Sequence, residues 1–103
     1  MAYTTINDSS AHFQTKIYTG DGNDNRAITN DGNSNLRPDW IWFKNRDSSN
    51  SHNVLDSRRG ITKKLEGTNN TNAEGTTSTR LTSFDTDGFT VRTDPSVNGN
   101  GNK

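Results

Sequence analysis

His52, Asp56 and Ser57 are the residue types of a nucleophilic relay, in which a histidine takes a proton from a serine hydroxyl while a carboxylate holds the ring. Asp56 and Ser57 are adjacent, and adjacent residues in a strand face opposite ways, so one histidine does not join them. No nucleophile-elbow pattern surrounds the serine. The structural alternative is that Asp56 pairs with Arg58 or Arg59 around a turn closed by Gly60. Asp21, Asn23 and Asn25, and again Asp31, Asn33 and Asn35, match the first three ligand positions of a calcium loop. Both copies then depart from it. Arg26 or Leu36 stands where a glycine is required, and Gly32 or Trp42 where a bidentate glutamate is required.

Asp85 and Asp87, on alternate positions before Gly88, could hold a metal or a sugar hydroxyl, and as turn formers they need neither. Glu66 and Glu74, the acids available for glycoside cleavage, both fall in a polar loop and are set aside. Trp40 and Trp42 invite a sugar-stacking role, but in so apolar a segment packing has first claim on them, and they are expected in the core. Asn45, Arg46 and Asp47 follow as a polar cap that could line a ligand rim. No residue is therefore assigned a catalytic, cofactor-binding or metal-binding role. The domain is expected to be no enzyme and to use no cofactor.

The elements that would position these side chains are short. Asp39 to Arg46 holds both tryptophans and one of the four phenylalanines. In a strand Trp40 and Trp42 share one face and Ile41 and Phe43 the other, so both faces are apolar. That pattern predicts a central strand covered on both sides. Further strands are predicted at Phe13 to Thr19, Arg26 to Thr29, Asn53 to Ser57, Ile61 to Leu65, Arg80 to Phe84 and Gly88 to Arg92, a sandwich-like count. Between the first ones lies a small repeat, Thr19 to Asn25 and Thr29 to Asn35, each copy carrying Asp-Gly. A third such pair, Asp87-Gly88, is expected to turn one strand into the next. Glu66 to Thr79 reads as a long exposed loop. Residues 1–12 read as an N-terminal arm, 13–97 as the sandwich and 98–103, rich in Asn and Gly, as a mobile tail.

Composition points the same way. Ser, Thr, Asn, Asp and Gly fill 59 of the 103 positions, a bias toward turns and strands and against long helices. The expected fold is all-β, an antiparallel β-sandwich of jelly-roll or lectin-like kind. Twelve basic residues balance twelve acidic ones, which removes the electrostatic footprint of a nucleic-acid binder and any reason to expect membrane insertion. Met1 to Ser10 lacks the pattern of a signal peptide, so synthesis in a cytosol is expected. Cysteine is absent, and Leu, Ile, Val and Phe number only 16. A core that small, with no disulfide, predicts a domain that lives in an assembly, including a homo-oligomer.

Taken in order, three blocks resemble a domain recurrent in phage and prophage virion proteins described as tail-fibre or appendage proteins. The first is Tyr18-Thr19-Gly20-Asp21-Gly22. The second runs from Pro38 to Arg46 and on to His52, Leu55-Asp56-Ser57 and Arg59-Gly60. The third is Leu81 to Thr90. The opening Ala2 to Ile6 through Ala11 to Thr15 is similar to how such proteins begin, particularly in phages of marine bacteria. The resemblance implies a lectin-like sandwich of the concanavalin or SPRY kind, located in the virion, with other phage virion proteins and a host surface glycan as partners. It implies no catalytic residue.

The non-enzymatic role it implies is structural, in a tail fibre or appendage, with capsid decoration and host-attachment binding of carbohydrate as alternatives. In the family the stretch similar to Val97 to Gly101 leads into a further aromatic-rich strand, which does not appear before Lys103. The sandwich is thus expected to be incomplete at its C-terminal end, its last strand supplied either by a longer polypeptide or by a neighbouring chain.

Overall fold

The computed structural model describes residues 7–66 and 71–103. Most of the short apolar runs bounded by turn residues pair into strands. A three-stranded antiparallel sheet has the order β1 (Arg26–Thr29), β7 (Gly88–Val91), β6 (Leu81–Asp85). A four-stranded antiparallel sheet has the order β2 (Trp40–Phe43), β3 (Asn53–Asp56), β4 (Lys63–Glu66), β5 (Gly75–Thr76). One helical turn, α1 (Pro95–Asn98), follows β7.

The inner faces of the two sheets meet in a single core, which makes the fold an all-β sandwich. Ile28, Leu81, Phe89 and Val91 come from the first sheet, Ile41, Phe43 and Leu55 from the second, and Val97 from α1. Phe43 and Phe89 meet edge to face across the layers with ring centroids 5.3 Å apart. Each such side chain removed from water contributes about 1.5–3 kcal/mol, so this short list carries much of the fold's stability.

The β6–β7 hairpin turns through Thr86 and Asp87 into Gly88, where the Asp-Gly pair was expected to turn the chain. Gly88 has φ +145°, and a Cβ there would lie 2.0 Å from the carbonyl oxygen of Ile28 on β1. Only glycine lets the two strands approach so closely at that point.

Several expectations are corrected. Phe13 to Thr19 forms no strand and belongs to neither sheet. β2 lies at the edge of its sheet and not at its centre. Glu66 is part of β4, and β5 adds a short fifth element inside the stretch read as a long loop, part of which lies outside the described residues. The tail is pinned to the body. Gly22 N–H donates to the Asn98 carbonyl, Gly20 N–H to that of Asn102, and Arg46 N–H to that of Lys103. Asn98 is 1% exposed, and its side chain joins three segments by donating to the carbonyls of Asn23 and Arg92 and accepting from Asp21 N–H. Met1 to Ile6, half of the expected N-terminal arm, lies outside the described residues. After it Asp8 caps a 3₁₀ turn, Ser9–Ala11, by accepting from Ser10 N–H.

Candidate functional site: an apolar groove beside an open strand edge

The residues singled out for chemistry are dispersed by the fold. His52 Nδ1 accepts the indole N–H of Trp42 at 2.8 Å. Asp56 binds Arg59 through both the guanidinium (3.1 Å) and the backbone N–H (2.7 Å), and Gly60, at φ +96°, closes the turn. Ser57 Oγ donates to Asp39. His52 precedes β3, Asp56 ends it and Ser57 opens the turn after it, each with a different partner.

The aspartates of the repeat also serve the backbone. Asp21 Oδ1 accepts from Asn23 N–H, and the Asp21 carboxylate stands 3.6 Å from Arg26. Asp31 pairs with Lys16 at 2.9 Å. Asp85 accepts from Ser83 and Thr90, and Asp87 accepts from Leu36 N–H. Glu66 is held by Lys64, and Glu74 by Arg59. Among the described residues no cluster of three metal-ligating side chains forms, and no helix is long and apolar enough to cross a membrane.

Trp40 and Trp42 depart furthest from expectation. Ile41 and Phe43 point into the core as predicted, but the tryptophans on the other face are 52% and 49% exposed. The reason is topological. Among the described residues no second layer covers the outer face of the four-stranded sheet, so a face apolar enough to be buried is left in solvent. The two indoles stand nearly perpendicular, with centroids 6.1 Å apart and an interplanar angle of 79°.

Beside them runs a groove of about 670 Å³, walled on one side by β2 and on the other by the segment His12 to Tyr18. Among the described residues four large apolar side chains are exposed, Phe13, Ile17, Trp40 and Trp42, and all four line this groove. Its floor is the open flank of the core, where Ile41, Phe43, Phe89 and Val97 reach the surface. Tyr18 stands on that flank with its hydroxyl donating to the Val97 carbonyl and its ring 6.2 Å from that of Phe89. Burial pushes its phenol well above the usual tyrosine range, although the Arg26 guanidinium beside it pulls the other way.

The groove's rim is basic. Lys16, Lys44, Arg46 and Lys103 line it, with Asp39 its one carboxylate, and Asp39 faces Arg37 at 3.5 Å. Lys44 is held by the carbonyls of Ser48 and Asn50 (3.3 and 3.1 Å), and no carboxylate meets Arg46 among the described residues. Asn45, read as part of a ligand rim, lines the groove but is buried, donating to the Pro95 carbonyl and accepting from Asp47 N–H.

The sequence signal for the groove lay in Trp40 and Trp42 themselves, read for the wrong face. The helix that helps close it was missed, although Asp94-Pro95 is a helix-start signal: Asp94 caps it by accepting from Ser96 N–H, and Pro95 sits in its first turn.

Fold and groove together define a β-sandwich domain with an apolar groove beside the edge strand β2. The chain belongs to the DUF7483 family, a domain of unknown function, whose profile matches residues 8–103. No curated protein and no solved structure gives a match.

Proposed function

We propose that this domain is a non-enzymatic structural component of a phage particle, a tail-fibre or similar appendage protein that assembles with other virion chains through the groove beside β2. The observation that carries the assembly reading is the convergence of Phe13, Ile17, Trp40 and Trp42 on one groove. Scattered apolar residues on a surface need no explanation, but a contiguous patch rimmed by charge is the pattern of an interaction site. A core of eight buried apolar residues among the described residues gives the chain good reason to bury more surface against a partner.

The phage reading is supported by the ordered resemblance running from Tyr18 to Thr90. Mass spectrometry and immunogold labelling of purified particles test it. The expected result is this chain at the tail appendages. Labelling over the head would replace the appendage by capsid decoration, and absence from purified particles would overturn the proposal.

A second reading is favoured by a specific observation. Trp40, Trp42 and Lys44 alternate along one strand, and the two indoles are half exposed beside a basic rim. This is the combination that binds an acidic host polysaccharide, the ring faces stacking on sugar and the cations meeting carboxylates. Because the indoles are perpendicular, only one of them can stack on a given sugar ring. Quenching or enhancement of tryptophan fluorescence by acidic polysaccharide, lost in Trp42→Ala, is expected on this reading, and an unchanged spectrum excludes it.

A further inference from the structure

The backbone of β2 says more about what the groove accepts. In an antiparallel pair, residues alternate between those whose N–H and C=O face the partner strand and those whose groups face away. Ser57 N–H donates to the Asp39 carbonyl at 2.8 Å, and β2 and β3 stay in register from Trp40 opposite Asp56 to Phe43 opposite Asn53. Asp39, Ile41 and Phe43 therefore bond to β3. Trp40, Trp42 and Lys44 direct their N–H and C=O groups to the other side, into the groove. Nothing among the described residues pairs with them there.

The opposite wall is in the same condition. Gln14 to Tyr18 belong to no strand, and no backbone N–H or C=O of these five residues finds a partner among the described residues. A free strand edge and an unpaired segment thus flank one apolar groove. The first rung of a ladder is already in place. Arg46, two residues beyond Lys44 and of the same outward parity, donates its N–H to the Lys103 carbonyl at 2.6 Å, while Lys103 N–H donates to Asp47.

We propose that the groove seats an added β-strand, donated by a different polypeptide, that runs antiparallel to β2 from Lys44 toward Trp40. It pairs with the outward groups of Trp40, Trp42 and Lys44 and presents large apolar side chains to the open flank of the core. This rests on the reading of the groove as an assembly surface and names how the assembly is made.

Three features select this occupant. A free edge with alternating donors and acceptors is the surface that strand addition uses, and a sugar or small molecule does not match its spacing. Strand residues alternate between faces, so apolar side chains at alternate positions fall on Ile41, Phe43 and Phe89. The basic rim at Lys44, Arg46 and Lys103 favours a donor with acidic residues at its ends. A second copy of this chain is a poor donor, because every alternating apolar run among the described residues already lies in β1 to β7 or in the groove's own wall.

The test uses the 103-residue chain and a set of nine-residue end-blocked peptides, with Val, Ile, Phe or Trp at alternate positions, Thr between them and Glu at the ends. Binding is followed by tryptophan fluorescence and by amide exchange in NMR. Binding peptides are expected to slow exchange of the Trp40, Trp42 and Lys44 amides at least tenfold. The same peptides N-methylated at the amides facing β2 are expected to bind at least tenfold more weakly. Equal binding of methylated and unmethylated peptides, or binding without protection of those three amides, would make the groove an apolar pocket and overturn strand addition while leaving the assembly reading intact. No binding by any peptide overturns it as well. Protection that rises with concentration of the chain alone would assign the strand to a second copy and overturn the donor proposed.

Discussion

Trp42 donates its indole N–H to His52 Nδ1 at 2.8 Å, and the two rings, 5.6 Å apart, sit together on the solvent face of the four-stranded sheet. One residue on, Phe43 turns the opposite way and packs against Phe89. The most apolar segment of the chain thus feeds two surfaces, one that holds the sandwich and one that is offered outward.

That division predicts unequal costs of truncation along one strand. Phe43→Ala leaves a cavity in the core and is expected to cost about 3–5 kcal/mol. Trp42→Ala gives up a half-exposed ring and one exposed hydrogen bond, and is expected to cost no more than about 1 kcal/mol. Urea denaturation of both variants checks this, and similar losses would mean that Trp42 is also buried in solution.

Asn98 is expected to matter far more than its place near the chain's end suggests. Its side chain satisfies the carbonyls of Asn23 and Arg92 and the N–H of Asp21, all in one buried spot. Asn98→Ala leaves those groups without partners and is expected to cost about 2–4 kcal/mol. Asn100→Ala, at an exposed position two residues on, is expected to change stability by less than about 0.5 kcal/mol. Thermal melts of the two variants decide it.

Gly88→Ala is expected to destabilise by more than about 2 kcal/mol, since it combines a strained φ with overlap against β1. Gly60→Ala meets no atom within 4 Å and bears only the cost of its φ of +96°. Comparison of their melting temperatures separates steric overlap from backbone strain.

Stability should be flat near neutrality and fall at both extremes of pH. Hydrogen bonds from Ser10 and Ser34 hold Asp8 below the usual carboxylate range, a hydrogen-bonded fork from Arg92 does the same for Asp24, and Lys16 does so for Asp31. Burial pushes Asp94 up, but its bonds from Ser96 and the nearby Arg80 outweigh it and leave it lowered. As pH falls, the unfolded chain takes up protons first, near about pH 4, so the stability these groups contribute is complete above that value and is lost below it. Tyr18 acts in the other direction. Its raised phenol contributes stability below about pH 10, the unfolded value, which is lost as pH rises further. Melting temperatures across pH 2–11 check both limbs, and a maximum confined to acid pH would contradict the assignment.

Much of the fold was legible. Runs bounded by Gly, Asn and Asp gave β1, β3, β6 and β7 to within a residue, because local alternation and turn chemistry agree there with the tertiary pairing. Asp56 with Arg59 was legible for the same local reason. What stayed hidden depends on which strand lies beside which. Trp40 and Trp42 look buried to any reading of hydrophobicity, and only the position of β2 at a sheet edge, with no layer over its outer face, leaves them in solvent. Phe13 to Thr19 has the pattern of a strand, but among the described residues no neighbour pairs with it. Asn98 gave no signal, since an Asn-Gly tail reads as mobile until its partners on Asp21 and Arg92 are known.

The account stands or falls on whether the groove is covered when the protein is in its assembly. Hydroxyl-radical footprinting of Trp40 and Trp42, read by mass spectrometry in the isolated chain and in purified particles, measures this directly. The predicted result is ready oxidation of both indoles in the isolated chain and a severalfold lower rate in particles, with Phe84, half-buried and outside the groove, as internal comparison. Equal oxidation of Trp40 and Trp42 in the two states would contradict it.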